Sequence, residues 1–256
     1  MRTTVKLGTA TLGSALLLTL GAGMAQAASA SDGNTMAKLR PVALNGVKAN
    51  GTAMVTVNGN KINVTMAARG LLADSPHAAH IHFGADARHE CPTAADDKDG
   101  GGTLNTTEGG PAYGPIVVSL TKTGDTSPDS ALAVDRFDAA KGGKINYERG
   151  SITVSSDVAA AISSGKSVVV VHGVDHNHNG KYDGETMSEL DPKLPTEATD
   201  PAICGVLASA PAGGVQTGGG GTADNNQALG LALGGGFLLA AMGTGAFATR
   251  KVTNRI

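Results

Sequence analysis

The sequence predicts an all-β fold, an antiparallel sandwich or barrel carrying one short helix. Three observations carry that prediction: many short runs alternate apolar with polar residues, Gly-rich joints separate them, and helix-period segments are scarce. The tripeptide NGN at Asn58–Asn60, flanked by TAMVTVN and KINVTMA, is a hairpin signal. Further strands are expected at AHIHF (79–83), PIVVSL (115–120), GSITVS (150–155), SVVVVHGV (167–174) and ICGVLA (203–208), with another near RPVALNG (40–46). The helix is expected in SSDVAAAISSG, where Ser155 or Ser156 can cap it and Gly165 can stop it. The polar, Gly-rich stretch DDKDGGGTLNTTEGG (96–110) is expected to be a surface loop that could lie over a site.

Both ends of the chain read as addresses rather than fold. Residues 1–27 carry Arg2 and Lys6, then the apolar run LGSALLLTLGAG, then AQA ending at Ala27, which is the pattern of a cleavable secretory signal. Residues 227–249 contain no charge and precede the basic tail RKVTNRI (250–256), so a C-terminal transmembrane helix with a cytoplasmic tail is expected. Between domain and span lies SAPAGGVQTGGGGTADNN, a flexible linker at 209–226. Within it, VQTGG resembles the sorting signal of sortase-anchored wall proteins, which would put the cleaved bond at Thr217–Gly218, although Val215 and Gln216 stand where Leu-Pro belongs. The expected location is extracytoplasmic, at the cell surface, held by the membrane or the wall.

The remaining domain, residues 28–208, is the part expected to fold. Residues 28–224 hold all 22 acidic residues against 15 of the 20 basic ones, a net charge of −7. That sign argues against nucleic acid and anionic headgroups as partners. Aromatic content of 3% and the absence of Trp remove a stacking platform for bases. Two cysteines, Cys91 and Cys204, form an even count that reads as a disulfide in an exported protein, with two buried thiols as the alternative.

The seven histidines fall in two clusters, HAAHIHFGADARHEC from His77 to Cys91 and VVVVHGVDHNHNG with His172, His176 and His178. On a strand, residues two apart share a face, so His80 and His82 can aim at one point. Neutral imidazole is a common ligand for copper and zinc. His172 ends a second apolar strand, and alone it would read as a satisfied core histidine. With no histidine elsewhere, a shared site becomes the stronger reading.

HIH followed by Phe83-Gly84, Cys91 nine residues after His82, and then VVVH and ICGVL resemble the copper/zinc superoxide dismutase superfamily. The CHRD-type domains of that superfamily are the nearer likeness, on HAAHIHFG, GPIVVSL and VVVVHG in that order. The resemblance covers roughly residues 39–208. It implies a Greek-key β-sandwich or barrel, a Cys91–Cys204 disulfide, and copper ligands at His80, His82 and His172, to which His77 or His89 could add a fourth. The chain also departs from the dismutases. No bridging histidine follows Cys91 and no zinc loop follows, so zinc is not expected; Pro201 stands where the dismutases place the arginine that orients superoxide.

DHNHNGKYDGE (175–185) sets oxygens at Asp175, Asn177, Asn179 and Asp183 around Gly180, like the opening of a calcium loop. The glutamate such a loop needs would fall on Thr186, and Asn-Gly is a turn signal in its own right. A plain turn competes with calcium here. Three functions compete for the whole domain: a surface-held copper-binding domain, an active copper superoxide dismutase with altered ligands, and a non-catalytic structural or adhesive module.

Overall fold

The computed structural model describes residues 33–209. The strands are β1 (Gly33–Pro41), β2 (Asn50–Asn58), β3 (Lys61–Arg69), β4 (Pro76–His77), β5 (Ala79–His82), β6 (Ile116–Ser119), β7 (Asp138–Ala139), β8 (Lys144–Thr153), β9 (Val168–His172), β10 (Pro201–Val206) and β11 (Ala208–Ser209). The helices are α1 (Thr106–Tyr113), α2 (Ser156–Ser163) and the single turn α3 (Thr196–Thr199). Nine strands make one antiparallel sheet in the order β6-β5-β9-β10-β1-β2-β3-β8, with β11 added to β1, while β4 pairs with β7. The sheet curls into a half-barrel.

Local chemistry explains the pieces. Asn58 pairs with Lys61, so Gly59 and Asn60 alone turn the β2–β3 hairpin, and Gly59 adopts the left-handed φ of +55° that this turn requires. Ser155 caps α2 by accepting from the Val158 amide, as the sequence implies. Alternation then builds the main core: Val55 and Val57 from β2, Ile62 and Val64 from β3, and Ile81, Val169, Val171 and Ile203 from the other half of the sheet.

Strands β5, β9 and β10 are buried on both faces. Val169 and Val171 enter the main core, whereas Val168 and Val170 face a second, smaller core with Val42, Leu104, Tyr113 and Cys204. That double burial is why the β9 sequence is an unbroken apolar run rather than an alternating one. Leu104, Tyr113 and Cys91, from the segment joining β5 to β6, and Val42, from the stretch after β1, pack on the second face.

The structure differs from the sequence expectation in having α1 and the turn α3 beside the one short helix expected, α2. The stretch 96–110 is not loop throughout, because α1 begins at Thr106. Asn105 accepts from the Glu108 amide at 2.9 Å, and Glu108 accepts from the Asn105 amide at 3.1 Å, a reciprocal cap that starts the helix. The first strand lies at Gly33–Pro41 rather than over 40–46, where Leu44 and Gly46 both take left-handed φ values of 66° and turn the chain. No helix among the described residues is long and apolar enough to cross a membrane. The expected signal segment (1–27), the linker beyond Ser209 with Thr217 and Gly218, the span 227–249 and the basic tail lie outside the described residues.

Candidate metal centre

Register brings the three histidines onto one face. His80 sits opposite Val170 and His82 opposite Val168 in the antiparallel β5–β9 pair. His172 lies two residues beyond Val170, so strand alternation puts it on that same face, away from the main core. Ring centroids are 5.1 Å apart for His80–His172, 5.7 Å for His80–His82 and 6.1 Å for His82–His172. All three residues are buried.

Each ring is held by one nitrogen. His80 Nε2–H donates to the Ala131 carbonyl at 3.1 Å, His82 Nδ1–H to the Gly114 carbonyl at 2.8 Å, and His172 Nδ1–H to the Thr199 carbonyl at 2.6 Å. A carbonyl can only accept, so it fixes the proton on that nitrogen and leaves the other with a lone pair. Those other atoms, His80 Nδ1, His82 Nε2 and His172 Nε2, are buried without a hydrogen-bond partner. Among the described residues the one further buried side-chain atom in that condition is Ser167 Oγ.

Burial keeps the rings neutral. It pushes His82 down to about 3 and His172 down to about 4, and it lowers His80 well below the ordinary histidine value, with the neighbouring imidazoles adding to the effect on His80 and His82. Packing fixes the ring planes as well. The Tyr113 ring lies 4.5 Å from His82, and Phe137 meets His80 edge-on at 5.3 Å.

One ligand atom from each of His80, His82 and His172 can be chosen so that all three lie within 4.8 Å of one another. A first-row ion with nitrogens at about 2 Å sets them roughly 3.3–3.5 Å apart, a contraction that small ring movements supply. Leaving three such atoms unpaired costs about 1–3 kcal/mol each. Three neutral imidazoles oriented by carbonyls at the opposite nitrogen form a donor set that fits a borderline ion such as copper or zinc.

The two candidate fourth histidines stand apart from that group. His77 is buried, with Nδ1 2.8 Å from the His172 carbonyl, Nε2 3.1 Å from the Leu72 carbonyl, and the Tyr182 hydroxyl 3.2 Å from either nitrogen. It holds the backbone of a cluster histidine instead of facing the cluster. Gly173, next in the chain, takes φ +108°, and a Cβ there would come within 2.7 Å of His77 Nδ1. His89 stacks on Phe83 at 5.6 Å and donates from Nε2 to the Gly84 carbonyl at 2.9 Å.

Asp175, Asn177, Asn179 and Asp183 are brought together as a turn. Asp175 accepts from the Asn179 and Gly180 amides, Asn179 from the Lys181 amide, and Asp183 from both asparagine side chains. The turn is anchored by Glu197, a buried carboxylate that accepts from the backbone amides of His176, Asn177, Asp183 and Gly184. His176 bonds the buried Asp200 at 2.8 Å, and His178 is exposed with φ +60°. A second acidic group, Asp97, Asp99 and Glu108, has no motif spacing that marks it in the sequence; its carboxylates accept from loop amides between Lys98 and Asn105.

Cys91 and Cys204 form a disulfide with Cα atoms 5.8 Å apart. Cys204 pairs with Val170, itself opposite His80, so the bridge ties the segment after β5 onto the cluster's face of the sheet. The residues that orient the rings, at Ala131, Gly114 and Thr199, act through backbone carbonyls and therefore leave no residue-type signal. Compared with protein-family models and with curated proteins, the chain matches none. The molecule is thus defined by its fold and site: a curled antiparallel β domain with one disulfide and a buried trihistidine cluster.

Proposed function

We propose that this chain is a CHRD-type, superoxide-dismutase-like domain that binds one copper ion through His80, His82 and His172, outside the cytoplasm and held at the cell surface by its C-terminal segment. The observation that carries the reading is the set of three buried imidazole nitrogens without partners, each opposite a nitrogen fixed by a carbonyl. The curled antiparallel sheet and the disulfide fit such a domain. The disulfide also suits an oxidising compartment. The reading is metal holding rather than turnover of superoxide, because Pro201 occupies the position of the orienting arginine and no histidine follows Cys91 before His172.

The test is copper loading of the purified protein, with metal analysis and a superoxide dismutation assay on the native chain and on the His80→Ala/His172→Ala double variant. One copper per chain, lost in the variant and accompanied by no dismutation, is the expected result. Dismutation abolished by the double substitution would move the reading to an enzyme. Copper binding unchanged by the substitutions would remove the site.

A further inference from the structure

Beside the histidine cluster lies a cavity of about 260 Å³ whose lining includes His80 and His172. Its walls are aliphatic, chiefly Ile116, Leu132, Val134, Leu190 and Leu194, and no aspartate, glutamate, lysine or arginine lines it. Ala131 and Thr199, whose carbonyls hold His80 and His172, line it too. Val134 and Leu190 are 38% and 45% exposed, two of the four large hydrophobic residues that stand exposed among the described residues. Two exposed apolar side chains thus belong to the lining of this cavity.

We propose that this cavity binds a small uncharged molecule, about the size of one substituted benzene ring, against the face of the cluster formed by His80 and His172. The volume sets the size: an apolar cavity of about 150 Å³ accommodates benzene, so this one holds a ring with a short substituent. The lining sets the class. An anion would meet no lysine or arginine in the walls. A cation would lose its water without gaining a carboxylate among the lining residues. An uncharged ring loses little and buries its surface on five aliphatic side chains. The proposal rests on the copper reading in naming what reaches the histidines, and it is tested on the metal-free protein.

The experiment is a methyl NMR titration of the metal-free protein with three matched probes: benzyl alcohol, benzoate, and benzylamine, which is protonated at neutral pH. Saturable shifts at Val134, Leu190 and Leu194 with benzyl alcohol are expected, with each ion binding at least tenfold more weakly. The Leu190→Glu variant, altered at an exposed lining position, should weaken benzyl alcohol at least tenfold while keeping the other methyl resonances in place. No saturable shift with benzyl alcohol overturns the proposal, as does either ion binding as tightly, or full affinity in Leu190→Glu. Because no metal is present, failure here leaves copper binding standing, and failure of copper binding leaves this result standing.

Discussion

A histidine buried with one nitrogen bonded and the other bare is held neutral by its surroundings, and that has a consequence for stability. In the metal-free protein the folded state keeps His82 down at about 3 and His172 down at about 4, whereas the unfolded chain takes up their protons below about pH 6.5. Stability is therefore fully present above that pH and is lost as pH falls through 6.5 toward the folded values. Chemical denaturation of the metal-free protein should show a loss of about 2–3 kcal/mol for each of these two histidines between roughly pH 6.5 and 4.5, with His80 adding in the same direction. Stability independent of pH over that window would contradict neutral burial. His77 gives a second prediction. Neutral His77 has one N–H to give to the Leu72 or the His172 carbonyl, and His77→Phe keeps a ring but removes that donor beside the His172 backbone, so copper affinity should fall by about 10- to 100-fold, read by competition with a chelator. Were His77 a mere space-filler, affinity would not change. At this scale the sequence was legible where chemistry is carried by side-chain type: the spacing of His80 and His82 on a strand, and His172 closing another, predict their shared face. It was silent on Ala131, Gly114 and Thr199, because a backbone carbonyl looks the same under any residue. His77 and His89 lie near the cluster in sequence, and only the paths of β4 and of the segment after β5 turn them elsewhere.

Among the elements, β5 and β9 position the site and the covering segments bury it. The β2–β3 hairpin, α2 and most strands were readable because periodicity and turn chemistry are local. Helix α1 was hidden inside a Gly-rich stretch, although Asn105 and Glu108 already stand at the spacing of a reciprocal cap. The apolar residues of the Arg40–Gly46 segment suggest a strand there, yet Leu44 and Gly46 turn that segment and β1 precedes it. The Cys91–Cys204 bridge closes a loop of 113 residues and ties a covering segment to the sheet. Chain-entropy reasoning gives it about 4–5 kcal/mol of stabilisation. A Cys91→Ser/Cys204→Ser variant should therefore unfold at a markedly lower urea midpoint than the native protein, and an unchanged midpoint would show that the bridge adds nothing to the fold.

Over the whole domain, a face of the sheet that faces away from the main core has been given its own small core, and the histidines sit at its edge. Burial there has two effects: it removes water from three imidazoles and leaves beside them a cavity without charge. The negative charge of residues 28–224 and the uncharged walls act in the same direction, against drawing in an anion. Nothing in composition foretells that cavity, since its walls come from segments far apart in the chain that meet only through the fold. X-ray absorption at the copper edge of the loaded protein reads whether His80, His82 and His172 hold one metal ion together. One copper per chain with three imidazole nitrogens at about 2 Å is the expected result. A first shell of oxygens alone, or a nitrogen shell that survives in His80→Ala/His172→Ala, would contradict it.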